Sequence, residues 1–271
     1  AGARQLGVSI FEGVGVVSFR TASVGGGASK VVGVETSDGQ LIETDHVVLC
    51  AGQWSRELGA AAGVSVPLHS CEHFYVTTNS MDGVHPGLPV YRDNDSYTYF
   101  REWGTGLLVG GFEAQAKPIW TSGVPPDFAF SLLPDDQEHF IEQIWEGAQH
   151  RIPSLEHATI NSWVNGPESF TPDNQYILGE APECSGFFVA AGFNSAGIAN
   201  AAGAGILTAE WMTSGHPNRD VWGVDIRRFA PFHANAIFLR DRCAEVLGLH
   251  YQMPWPRREL ASARGMRRTP L

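Results

Sequence analysis

The sequence predicts an α/β protein, and three stretches carry that prediction. Residues 46–52 read as a buried strand of the parallel type ending in a turn of small residues, and residues 53–62 read as a helix with Trp54, Leu58 and Ala61 at helical spacing. Residues 186–205 repeat the pattern with a short apolar run bounded by glycine, a glycine turn, and a helix start almost without side-chain bulk. Between them, residues 71–113 form a series of short alternating segments, which predicts antiparallel strands in a second layer distinct from the parallel sheet.

The remaining elements follow in order. Residues 6–11 and 14–19 run apolar at strand length, glycines 25–27 make a turn, and residues 30–36 and 41–44 continue a meander across the hairpin signal at 37–40. In the strand from 71 to 78, His73, Tyr75 and Thr77 share one face and Phe74, Val76 and Thr78 the other. Residues 90–92, 97–101 and 106–112 are further strands. Residues 135–149 are the clearest amphipathic helix, with Phe140, Ile141, Ile144, Trp145 and Ala148 as its stripe and Pro153 beyond its end. Residues 160–166 return as a strand, 167–174 as a turn-rich loop, 176–179 as a short strand and 226–248 as a C-terminal helical region. The basic, proline-containing tail at 251–271 reads as a linker.

Composition bounds the function. With 271 residues, 43% hydrophobic and 17% charged, the chain has ample material for a folded core. A net charge of −11 argues against nucleic acid or an anionic membrane as partner. No apolar run is long enough to span a bilayer, and residues 1–5 lack the core of a secretory leader. The start without Met and the abrupt end at 271 fit a piece of a longer polypeptide. Four scattered cysteines, Cys50, Cys71, Cys184 and Cys243, make no C-x-x-C pair and predict buried, reduced thiols in an intracellular protein. Ten histidines show no H-E-x-x-H spacing, so no metal site is expected. P-loop, nucleophile-elbow and G-x-G-x-x-G motifs are absent, so catalysis would rest on a bound cofactor.

Taken singly, the candidate residues stay ambiguous. In 186–205 the small residues serve either tight helix-on-sheet packing or close approach of a ligand to a helix N-terminus, with Asn194 or Ser195 as its cap. His73 and Tyr99 are each a packing residue or a catalyst. Arg101 with Glu102 reads as a solvated pair, and Cys71 beside Glu72 has no basic neighbour in sequence to make it reactive.

In combination they carry a resemblance. The segments 50–58, 72–76, 99–102, 169–173 and 191–197, in this order over nearly the whole chain, resemble the D-amino-acid-oxidase-type FAD superfamily. Within it the chain is similar to the dimethylglycine/sarcosine dehydrogenase branch, including the related regulatory subunit of pyruvate dehydrogenase phosphatase. The resemblance implies the C-terminal part of a doubly wound FAD-binding domain interleaved with an antiparallel, substrate-covering β-domain. Residues 1–65 and 166–250 would belong to the first, 66–165 to the second, and 251–271 would lead toward a folate-binding half. It further implies that Val17 meets the adenine side of FAD, that Ala51, Gly52 and Trp54 lie along the cofactor, and that Gly192, Phe193, Asn194, Ser195, Ala196, Gly197 and Ile198 face the flavin ring. His73 and Tyr99 would be the active-site pair, and hydride would pass from the N-methyl carbon of dimethylglycine or sarcosine to flavin. The iminium product would go to tetrahydrofolate or to formaldehyde, and the electrons to an acceptor protein or oxygen, in a mitochondrial matrix or bacterial cytoplasm. The glycine-rich phosphate-binding unit of this family would lie N-terminal to residue 1. The alternative that the resemblance implies is a non-catalytic regulatory paralogue bound to a phosphatase catalytic subunit.

Overall fold

In the computed structural model, which describes residues 2–26, 28–129, 131–253 and 255–263, three sheets carry the chain. After a short helix α1 (Gly2–Gln5), strands β1 (Val16–Gly25), β2 (Ala28–Thr36) and β3 (Leu41–Glu43) form an antiparallel meander. Gly39, at φ 81°, supplies the left-handed position in the β2–β3 turn. The expected strand at 6–11 does not form. Leu6, Val8 and Phe11 are exposed, and among the described residues the segment pairs with no strand, so its backbone groups lack a ladder.

The parallel pairing is present in the second sheet. Strand β4 (Val47–Leu49) runs parallel to β12 (Phe187–Ala191), with Phe187 opposite Val47, and β10 (Ile177–Glu180) flanks β12 in the antiparallel sense. The two-residue strand β11 (Cys184–Ser185) links this sheet to β2. A 3-10 turn at Gly52–Trp54 leads into helix α2 (Ser55–Ala61), and Leu49, Val66, Leu68, Ile177, Phe187 and Val189 form the core beneath. Helix α5 (Gly197–Ser214) follows β12 and buries only Ala204, Thr208 and Trp211.

The third sheet is antiparallel throughout, in the order β6 (Tyr91–Asp93), β7 (Thr98–Trp103), β8 (Gly106–Gly111), β5 (His69–Thr78), β9 (Ile160–Phe170). One face, with Phe74, Val76, Phe100 and Val109, packs on Phe140, Ile144, Trp145 and Ala148. The helix carrying them spans 137–151 as α3 (Gln137–Phe140), a π turn (Ile141–Trp145) and α4 (Glu146–Arg151); Asp136 caps it by accepting from His139 N–H. The π turn has no counterpart in the apolar pattern. The other face, with Cys71, Phe112 and Phe170, packs on Leu239, Cys243 and Leu247 of α6 (Ala236–Gly248).

Two expected boundaries move. Strand β9 continues through Pro167 to Phe170, where a loop was expected. Proline is tolerated because β9 is an edge strand, with Glu72 opposite Pro167. The C-terminal helical region is broken into 3-10 turns at Ile226–Arg228 and Pro231–Ala234 before α6 begins. Of the expected linker, residues 254 and 264–271 lie outside the described residues.

Candidate active site: a groove and a histidine–tyrosine pair

The turn after β12 is held in an unusual backbone. Gly192, Asn194 and Ser195 take φ values of 65°, 49° and 66°, a left-handed conformation that glycine adopts freely and serine rarely. A side chain at Gly192 would not fit: a Cβ would fall 2.5 Å from Leu68 Cδ2 and 2.7 Å from Thr171 Cγ2. The buried Asn194 carboxamide fastens the turn, accepting from Thr171 N–H at 2.9 Å and donating to the Gly192 carbonyl at 2.6 Å. The expected capping of α5 by Asn194 or Ser195 is therefore corrected. Ala196 is the N-cap and supplies no side-chain bond; Asn194 is engaged with Thr171, and the Ser195 hydroxyl donates to Glu168. Phe193 stacks on Tyr176 with ring centroids 4.8 Å apart.

This turn lines a groove of about 700 Å³ between β12 and α5, within the size range of small-molecule sites. Cys50 and Gly52 form one wall, and Gly197, Ile198, Ala201 and Gly205 of α5 another. Where a Cβ would stand at Gly52 or Gly205, no atom of the described residues beyond the local backbone lies within 4 Å, so side chains there would project into open space at the groove. Cys50 is exposed, which corrects the expectation of four buried thiols; Cys71, Cys184 and Cys243 are buried. A second hollow of about 360 Å³ meets the groove at Gly52, Glu168 and Ser169 and is lined by Trp54, Phe128 and Gly166. Val17 sits exposed at a bulge of β1, and Ala51 packs partly against the core; neither is among the groove-lining residues.

The strand register brings His73 and Tyr99 together. Gly110 stands between Tyr75 on one side and Tyr99 on the other, and a Cβ at Gly110 would fall 2.3 Å from Tyr99 Oη. The missing side chain lets the Tyr99 ring lie across β8, which places Oη 3.4 Å from His73 Nε2. His73 packs on Phe112 at 4.7 Å, and its Nδ1 is buried without a partner. Burial pulls the His73 pKa down, opposed by the Glu168 carboxylate, and burial pushes the Tyr99 phenol up. At neutral pH the histidine is therefore uncharged and the tyrosine protonated.

Two carboxyl groups here escaped the sequence reading. Glu168 lies opposite Cys71 on β9, the diagonal neighbour of His73 on the same face, and it lines both hollows. In the sequence it reads as part of a turn-rich loop, and only the extension of β9 past Pro167 brings it here. Glu113 is 1% exposed with neither oxygen hydrogen-bonded, and burial pushes its pKa up to about 8. The side chains of Arg101 and Glu102 do not form an ion pair: Arg101 lies over the Trp103 ring and its Nε donates to the Glu102 backbone carbonyl at 3.2 Å, while the Glu102 carboxylate accepts from Gly104 N–H at 2.8 Å.

The groove, with its strained glycine turn and uncapped helix start, is a cofactor-sized site, and the chain belongs to the FAD dependent oxidoreductase family, whose model matches residues 1–211. The FAD dependent oxidoreductase central domain matches residues 214–269. Among its relatives the chain is 41% identical to the mitochondrial pyruvate dehydrogenase phosphatase regulatory subunit of Mus musculus over 99% of its length and 30% of that protein's. It is 42% identical to the mitochondrial sarcosine dehydrogenase of Homo sapiens, over 98% of this chain and 28% of that one. It is also 42% identical to the 4-methylaminobutanoate oxidase (formaldehyde-forming) of Paenarthrobacter nicotinovorans, over 99% and 32%. The chain thus spans about 28–32% of the length of these relatives. In fold it is similar to L-proline dehydrogenase from P. horikoshii, at 24% identity with a TM-score of 0.64 over 82% of this chain and 55% of that one. FAD is the cofactor of this family, and the open space at Gly52 and Gly205 fits it.

Proposed function

We propose that the protein oxidises a small N-methylated amine such as sarcosine or dimethylglycine, with FAD held along the groove. Gly52 and the 192–198 turn would hold the cofactor, with Ala51 and Trp54 beside them and Val17 toward its adenine end. When bound, FAD supplies the acceptor for a hydride from the N-methyl carbon. The observation that supports this reading is the approach of Tyr99 Oη to His73 Nε2 on the sheet face that also carries Glu168, which lines both hollows; neither ring is itself a lining residue of the two hollows.

The chain's own groups then have defined work. The amine gives up hydride only as the free base, so a bound ammonium must lose a proton. That proton passes to Tyr99 Oη as the hydroxyl proton passes to His73 Nε2, which is free to accept because burial keeps the ring neutral. Loss of hydride leaves an iminium, and water addition then releases formaldehyde and the demethylated amine unless tetrahydrofolate takes the carbon. Sheet strands are rigid supports for both side chains. A protein or oxygen serves as final electron acceptor. The relatives support a mitochondrial matrix or bacterial cytoplasmic setting.

The 41% identity to a phosphatase regulatory subunit favours one second reading, a non-catalytic paralogue that binds a phosphatase catalytic subunit. The two separate on the full-length, flavin-loaded protein mixed anaerobically with sarcosine or dimethylglycine. Oxidation predicts bleaching of the flavin absorbance, slowed by tenfold or more in His73→Ala and Tyr99→Phe. A spectrum that stays oxidised with both amines favours the regulatory reading. Bleaching at unchanged rates in both variants removes the pair from the mechanism.

A further inference from the structure

Resting on the reading above, we propose that Glu168 is a catalytic residue that selects secondary N-methylamines over tertiary ones. The carboxylate lies on the His73 face of the sheet, lines the groove and the second hollow, and is oriented by the Ser195 hydroxyl at its Oε2. Gly166, directly opposite His73, lines the second hollow, and among the described residues no atom beyond its chain neighbours lies within 4 Å of where its Cβ would stand. An amine seated there meets the histidine–tyrosine pair on one side and the unoccupied Glu168 Oε1 on the other.

The selection follows from counting N–H bonds. A secondary ammonium has two. It loses one proton through Tyr99 Oη, and the free base still donates its second N–H to Glu168. Hydride departure from its methyl carbon makes an iminium, CH2=NH⁺–R, whose N–H keeps that bond while the charge on nitrogen grows. The interaction strengthens along the reaction and so lowers the barrier. A tertiary ammonium has one N–H. Glu168 holds that proton on nitrogen and stabilises the unreactive form. Once the proton is gone, neither the free base nor the iminium has a hydrogen to give. Hydrogen bonds to charged groups make this difference worth on the order of ten- to a hundredfold in rate.

The test uses the full-length flavoprotein, sarcosine as the secondary probe and N,N-dimethylglycine as the tertiary one. Rapid anaerobic mixing gives a dissociation constant and a reduction rate for each. In E168Q the reduction rate constant over dissociation constant should fall ten- to a hundredfold for sarcosine, while for dimethylglycine it should stay level or rise. S195A should move the same ratio in the same direction by about threefold. A calorimetric control with (methylthio)acetate, in which sulfur replaces N–H, should show equal affinity in wild type and E168Q, which establishes that the pocket is intact. An equal fall for the two amines, or no fall for sarcosine, overturns the proposal while the amine-oxidation reading stands. Wild-type flavin that neither amine reduces overturns that reading and this inference with it.

Discussion

The two layers of this molecule are finished to different degrees. The five-stranded sheet is covered on both faces, by the 137–151 helix on one and α6 on the other, and Phe140, Ile144, Phe170 and Leu239 are fully buried. The three-stranded sheet carries α5, a helix with Glu210 as its one charged residue, which nevertheless leaves Ile198 fully exposed and Ile206 60% exposed. A helix apolar on nearly all sides normally lies in a core. The contrast teaches that the five-stranded layer closes its own core within these residues, whereas the layer carrying the groove leaves an apolar helix face open beside the proposed FAD site.

Substitutions can sharpen or break that contrast. Phe140→Ala should cost about 3–5 kcal/mol in chemical denaturation of the full-length protein, from lost burial plus a cavity. Ile198→Ala should leave the flavin-free protein within about 0.5 kcal/mol of wild type if α5 is uncovered there. Equal costs would mean that the apolar helix face is already buried by another part of the full-length protein.

Glu113 belongs to the closed layer, and its burial sets a pH dependence. A carboxyl whose pKa rises from 4.5 to about 8 on folding releases its proton earlier in the unfolded chain, so its neutral form is accommodated fully below pH 4.5 and folding weakens as pH rises toward 8. Glu113→Gln should therefore stabilise the protein by on the order of a few kcal/mol at pH 8.5, with the gain shrinking toward pH 4.5. A pH-independent difference would show that Glu113 titrates normally.

Gly110→Ala should slow amine-driven flavin reduction tenfold or more, about 1.4 kcal/mol in the barrier, because the new methyl displaces the Tyr99 ring. Wild-type rates would show that the 3.4 Å approach to His73 is unnecessary. The opposite sign is expected on the open side. Gly203→Ala in α5 meets no atom within 4 Å and should raise the stability of the flavin-free protein by about 1 kcal/mol through helix propensity. A loss in its place would mean that another part of the chain packs against Gly203.

Much of this was legible in the residues because it rests on short-range pattern. Period-two alternation put His73 and Tyr75 on one face, and glycine with small residues marked the β12–α5 turn. The apolar stripe at 140–148 gave the helix, though its π turn leaves no mark on spacing. What stayed hidden depends on pairing. Residues 6–11 look like a strand but find no partner, and Pro167 looks like a stop but sits on an edge where its missing N–H is harmless. Glu168 reads as a loop acid until the register sets it diagonal to His73. Asn194 had the right chemistry for a cap and a better partner across the chain in Thr171.

Hydrogen exchange of the full-length protein, with and without FAD, tests the central contrast most directly. The account predicts that FAD slows exchange of amides in the 192–205 turn and helix start by tenfold or more, while β7 and β8 in the closed layer change little. Equal protection of the two regions, or none at 192–205, would contradict the assignment of the groove to FAD.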